Sequence, residues 1–173
     1  MRGSNHVATS CALSAATAAV ALRATALAPV ATTLAASVPH GVLGIAEAFA
    51  LTALGALMPD VDSPTSTLGR YVHLPVRHRT WTHTIWAVML LFVSAKYVPA
   101  LVWAALGYLF HLCMDSLSSA GVCWFYPLER YRTFANGAFY KPGHKLKLYG
   151  YDDGREPVVA GVVIIGCLAV IWL

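Results

Sequence analysis

Apolar residues gather in a few long stretches along the chain. Val7 to Ala28 is an Ala-rich run, and Gly41 to Met58 is a second that Pro59 ends. Each approaches the roughly 20 residues that a helix needs to cross a bilayer. Thr84 to Ala95 and Leu101 to Leu112 are apolar on either side of an interruption at Lys96 and Pro99, and Val158 to Leu173 is just long enough to span. The pattern predicts an all-α protein, a multi-pass transmembrane helical bundle. Arg2 before the first run and the small-residue sequence Ala26-Leu27-Ala28 would also suit a cleaved signal peptide, but Arg23 interrupts the apolar core. A single helix over 84–112 would hold His83 and His111 about 42 Å apart at 1.5 Å per residue. A hairpin turning near Lys96 to Pro99 returns both to one side. Residues 116–156 are polar and rich in Gly, Tyr and basic side chains, which predicts an irregular loop with short elements before a C-terminal transmembrane helix over 157–173. The whole of 1–173 is expected to be one domain.

Composition agrees with this setting. Hydrophobic residues make up 58% of the chain and charged residues only 12%, with a mean hydropathy of +0.62, about half the charge content of an ordinary soluble domain. The net charge of +4 is modest and its basic residues are dispersed, so no nucleic-acid partner is expected. Cys11, Cys113, Cys123 and Cys167 form no Cys-x-x-Cys pair and read as free thiols. The hairpin also puts Arg2, Arg70, Arg77, Arg79, Arg130, Arg132, Lys141, Lys145, Lys147 and Arg155 on one side, leaving Arg23 and Lys96 near the other. The positive-inside rule makes the crowded side cytoplasmic.

That side also collects the candidate chemistry. His111 and Asp115 are spaced i, i+4 at the end of an apolar helix and share a face. They suit two ligands of one cation, or a plain helix-end ion pair. Asp60 and Asp62 follow Pro59 in a turn, where aspartates commonly cap the next element; their place at a membrane edge gives a metal reading equal standing. His78 lies in a loop and His83 begins a helix, so the two can converge, while His6 precedes the first span. Thr80, Thr82 and Thr84 are N-cap residues by default, with support of metal ligands as the sharper role. Arg79 is expected to meet headgroups or a carboxylate, or, with Arg77, an anionic substrate. Glu47, inside an apolar run, is expected to pair with another helix, with a proton path as the alternative. His40, His73 and His144 have no spacing partner. The tryptophans Trp81, Trp86, Trp103, Trp124 and Trp172 suggest interfacial belts.

The stretch Leu57-Met58-Pro59-Asp60-Val61-Asp62-Ser63-Pro64, then His78-Arg79-Thr80-Trp81-Thr82-His83-Thr84, then His111 to Asp115 followed by Ala120-Gly121-Val122, resembles the LexA-regulated, membrane-bound metal-dependent hydrolases of bacterial inner membranes. The resemblance covers about His6 to Pro127. It implies that His6, Asp60, Asp62, His78, His83, His111 and Asp115 are the matching polar positions. More distantly, the order His, Asp, His, His-x-x-x-Asp is similar to the zinc-dependent phospholipase C and single-strand nuclease group, all-helical phosphodiesterases, which implies phosphoester hydrolysis by analogy. Ser63 stands where many relatives carry His or another polar residue, and Thr80 replaces a common Gly. The further His of the phospholipase group has no counterpart before His144. One or two Zn²⁺ ions, or another divalent metal, are therefore expected rather than three.

The resulting expectation is a multi-pass inner-membrane hydrolase with its metal site at the cytoplasmic helix ends, working among membrane lipids on an amphiphilic or phosphoester substrate. The aspartates Asp60 and Asp62 would be catalytic, one binding metal and the other handling a proton. The rivals are a non-catalytic membrane protein whose His/Asp cluster clamps helices together, and a transporter. The sequence leaves the oligomeric state open.

Overall fold

The computed structural model describes residues 3–23, 41–72, 74–76, 78–128, 132–133, 139–140, 146, 148 and 154–172. Among the described residues five α-helices carry the fold: α1 (Gly3–Arg23), α2 (Gly41–Leu57), α3 (Ile85–Ser94), α4 (Leu101–Leu117) and α5 (Arg155–Trp172). Among the described residues the only strands are β1 (Arg132–Thr133) and β2 (Phe139–Tyr140), antiparallel with Arg132 opposite Tyr140. The described residues are thus mainly helical, as the long apolar runs predict. The turn between α3 and α4 covers residues 95–100, where Lys96 and Pro99 interrupt the apolar pattern, and the two helices pack as a hairpin. Helix α4 runs past the apolar stretch to Leu117, so the polar region starts inside a helix. The β-pair belongs to the same region; most of 129–153 falls outside the described residues, as do His40, His73 and His144.

Helix α4 is the centre. Val102 to Tyr108 are buried without a break, and His111, Leu112, Met114 and Asp115 continue the burial, so this helix is surrounded on nearly every face. Helices α1, α2 and α3 pack against it, and α5 packs on α1. Small residues set how closely α2 approaches. A Cβ added at Gly55 would sit 2.1 Å from the Ala104 carbonyl oxygen, and one at Gly107 would sit 2.1 Å from that of Thr52. Only hydrogen fits at either crossing, which is how helices without a bulky seam gain close contact inside a membrane.

Apolar side chains dominate the outward faces of α2, α3 and α5. Leu43, Ile45, Phe49 and Leu54 of α2, Met89, Leu90 and Val93 of α3, and Val162, Ile165 and Leu168 of α5 are exposed. Leu43–Asp62 and Arg155–Trp172 are each long and apolar enough to cross a membrane, while α3 and α4 are shorter apolar helices. Two expectations need correction. Glu47 is exposed on α2 rather than paired with a neighbouring helix, because the buried face of α2 runs through Ala48, Thr52, Gly55 and Ala56. Trp103 is 7% exposed and packs with Ala48, Ala95, Val102 and Leu106 rather than forming part of a belt; Trp81, Trp86 and Trp172 do stand exposed.

Candidate metal centre

Pro59 fixes where α2 ends. It cannot continue the α-helical hydrogen bonding and its ring suits the first turn of a new element, so Met58–Asp62 folds as a 3₁₀ turn with Pro at its start. At three residues per turn, positions two apart point about 240° from each other. This separates the two aspartates, where an extended turn would have sent them in related directions. Asp60 faces His83 and His111; Asp62 faces His78, Thr82 and the backbone of Arg79.

The histidines arrive from three other elements. His111 comes from α4, His83 from a 3₁₀ turn (Trp81–His83) that leads into α3, and His6 from the first turns of α1. His6 is therefore inside the first helix, 1% exposed, and stacks on His111 with ring centroids 3.9 Å apart. His111 Nδ1 lies 2.6 Å from the Ala56 carbonyl oxygen. A carbonyl only accepts, so Nδ1 carries the proton and the Nε2 lone pair is left free. The close crossing at Gly107, one turn earlier on α4, is what lets this ring reach α2.

The Nε2 atoms of His83 and His111 are fully buried and have no hydrogen-bond partner. Buried polar atoms almost always find one, so a pair of orphans side by side calls for an explanation. Asp60 Oδ1 lies 3.5 Å from His83 Nε2 and 3.7 Å from His111 Nε2, and Asp115 Oδ2 lies 3.7 and 3.9 Å from the same two atoms. Tetrahedral ligands at ~2.0–2.1 Å from zinc stand roughly 3.3–3.4 Å from one another. The spacings in this chain exceed that by a few tenths of an ångström. The residues therefore fit a divalent metal, with two imidazole nitrogens and carboxylate oxygen as the donor set.

Charge bears on the same cluster. Asp60, Asp62 and Asp115 bring three negative charges against the one guanidinium of Arg79, whose Nη2 lies 3.0 Å from Asp115 Oδ2, so two negative charges remain among the described residues when the histidines are neutral. Uncompensated buried charge is costly. Either a divalent cation or protons on the imidazoles must offset it. Burial alone would push the His83 pKa down, but the adjoining carboxylates of Asp60 and Asp62, with Asp115, outweigh burial and raise it above the ordinary imidazole value.

Three overlapping groups bring ligand atoms together: Asp60, His83 and His111; His6, His111 and Asp115; and Asp62, His78 and His83. The last differs in character. Asp62 is 2% exposed and already accepts from His78 Nδ1 at 2.6 Å, from the Arg79 amide at 3.1 Å and from Thr82 Oγ1 at 2.5 Å. In the second group, His6 Nε2 is 3.4 Å from Asp115 Oδ1, while His6 Nδ1 and Asp115 Oδ1 make no hydrogen bond. Arg79 has a backbone φ of 62°, unusual for a residue with a side chain. That twist delivers its amide to Asp62 while its guanidinium meets Asp115 and, at 3.1 Å, the Gly121 carbonyl.

The model of the YdjM inner membrane protein family matches residues 1–173. The chain belongs to that family. It is 34% identical over 90 residues to the inner membrane protein YdjM of Escherichia coli strain K12, a match covering 43% of this chain and 46% of that protein. The YdjM protein of Shigella flexneri matches to the same extent. The chain thus spans about half the length of the curated relatives it matches. No solved structure matches it at a significant level. The family description and the two candidate spans make this a membrane protein.

Within this YdjM-family chain, six of the seven candidate ligands form one connected cluster around His83 and His111, and His78 joins it through Asp62. Arg79 sits inside the cluster on a carboxylate, while Arg77 lies outside the described residues. Thr82 is bonded to Asp62 rather than capping a helix, and neither Thr80 nor Thr84 makes a side-chain cap. Tyr108, whose hydroxyl donates to the Thr82 carbonyl, was not among the sequence candidates. Nor was Glu156, which accepts from Asn5 Nδ2 at 2.7 Å beside His6. Their partners are far away in sequence, and the only available signal was a hydrogen-bonding side chain within or at the start of an apolar helix.

Proposed function

We propose that this chain is a multi-pass inner-membrane, metal-dependent hydrolase that takes an amphiphilic phosphoester or lipid-like substrate at the cytoplasmic membrane edge. The observation that carries the reading is the pair of buried, partnerless Nε2 atoms of His83 and His111 facing the oxygens of Asp60 and Asp115. His83, His111 and Asp60 would hold Zn²⁺ or another divalent ion, with Asp115 beside them under the Arg79 guanidinium. When bound, such an ion supplies Lewis acidity and lowers the pKa of a water. Asp60 is the solvent-reaching member, with its side chain 19% exposed against 0% for the two histidines. Water and substrate would therefore approach along Asp60. Asp62, with three donors on it, orients its neighbours. Arg77, which lies outside the described residues, is the remaining candidate for the substrate's anionic group.

A position open to water suits a catalytic site better than a closed structural clamp. The clamp reading has its own support, since a proton on His83 also offsets the carboxylates. The test is to purify the chain in detergent, load it with zinc, and assay generic phosphodiester and phospholipid substrates against a His111→Ala control. Metal-dependent turnover lost in the control supports the hydrolase. Bound metal without turnover on any of these substrates supports the clamp.

A further inference from the structure

Thr82 joins Asp62 to His83. Its Oγ1 lies 2.5 Å from Asp62 Oδ2 and 3.0 Å from His83 Nδ1. A hydroxyl owns one proton, and a carboxylate accepts only, so the Thr82 proton goes to Asp62. Toward His83 the same oxygen must then accept, which places a hydrogen on Nδ1. The neutral ring is left with its lone pair on Nε2, the buried atom that faces Asp60 and lies in contact range of Asp115. Two anchors hold Thr82 for this task. The Tyr108 hydroxyl donates to its backbone carbonyl from α4, and Asp62 is itself fixed by His78 and the Arg79 amide.

We propose that Thr82 is a positioning residue that relays the charge of Asp62 to His83, locking the imidazole in the Nδ1–H form so that Nε2 serves as metal ligand. The inference rests on the metal reading above and extends it. Ligating histidines generally donate their other N–H to a carboxylate, carbonyl or water, and loss of that partner typically weakens metal binding about 10- to 100-fold. In this chain the partner is a carboxylate acting through a hydroxyl. His111 uses the Ala56 carbonyl directly, so the two ligand rings are oriented by independent devices.

The test compares zinc affinity, by competition with a chromophoric chelator, for the wild-type chain and the variants Thr82→Val, Thr82→Ala and Thr82→Ser in one detergent. Two hydroxyl-free variants are used so that a packing defect in one does not decide the result. Thr82→Val and Thr82→Ala should each lose roughly 10- to 100-fold in affinity, and Thr82→Ser should stay within a few-fold of wild type. Loaded with Co²⁺, the Val variant should also show an altered visible absorption band, because the ring is free to turn or change tautomer. Wild-type affinity and an unchanged cobalt band in a folded hydroxyl-free variant would overturn the relay. Equal loss in Thr82→Ser would overturn it too, since the hydroxyl is then irrelevant. Failure of the wild-type chain to bind either metal would remove the metal reading itself.

Discussion

Replacing Gly107 by Ala adds one methyl group at the α2–α4 crossing and should loosen the site one turn away. The new Cβ would stand 2.1 Å from the Thr52 carbonyl oxygen and 2.9 Å from its carbon. Carbon–oxygen contacts settle at about 3.3 Å or more, so α4 must retreat from α2 by roughly 1 Å. His111 Nδ1 now lies 2.6 Å from the Ala56 oxygen; the same retreat carries it to about 3.6 Å, beyond hydrogen-bonding range. The variant should lose ~1–3 kcal/mol to overpacking and about 1 kcal/mol more with the bond. Free to rotate, His111 should also present Nε2 less well, so zinc affinity falls together with stability. Thermal unfolding in detergent and a zinc titration measure the two effects. Gly161→Ala on α5 is the control, because a Cβ there meets nothing within 4 Å. A Gly107→Ala variant with wild-type melting temperature and wild-type zinc affinity would refute the link between the glycine crossing and the ligand ring.

The aspartates should differ in kind: Asp60→Asn should abolish tight metal binding, whereas Asp62→Asn, acting through Thr82, should weaken it by about 10- to 100-fold and leave a measurable site; equal effects in metal titrations would contradict the division. Zinc affinity should rise with pH, because the carboxylates hold a proton on His83 to higher pH than on a free imidazole and metal must displace it. The metal-free protein should show the opposite trend: stability from His83 is fully present below the ordinary value of 6.5 and is lost as pH rises through the elevated folded value. Chemical unfolding of the metal-free chain over pH 6 to 9 should therefore show stability falling, and a rise would be contrary. Single cysteines placed near Arg79 and Arg132 in a background without native cysteines should be labelled from the cytoplasmic side only; labelling from opposite sides would refute the shared polar face.

The hairpin and the helical class were legible because they follow from local signals: Lys96 and Pro99 break one apolar run, and Pro59 ends another. The i, i+4 spacing of His111 and Asp115 likewise survives folding, as both point to one side of α4. What could not be read was the long-range closure. Thr82 looks like any residue before a helix until Asp62, 20 positions earlier, is folded onto it. His6 reads as a terminal histidine until α1 lies along α4 and stacks it on His111. The two aspartates were separable only once the turn was known to be 3₁₀, and Gly55 and Gly107 acquire meaning only where α2 and α4 cross.

The central claim is that His83 and His111 present their Nε2 atoms to a metal ion. It is tested most directly by the metal content of the chain purified without chelator, measured by plasma mass spectrometry beside a His83→Ala/His111→Ala double variant of equal helicity. About one divalent ion per wild-type chain, absent from the double variant, is the expected result. Equal metal content in the two, or none in the wild type after loading with zinc, would contradict the account.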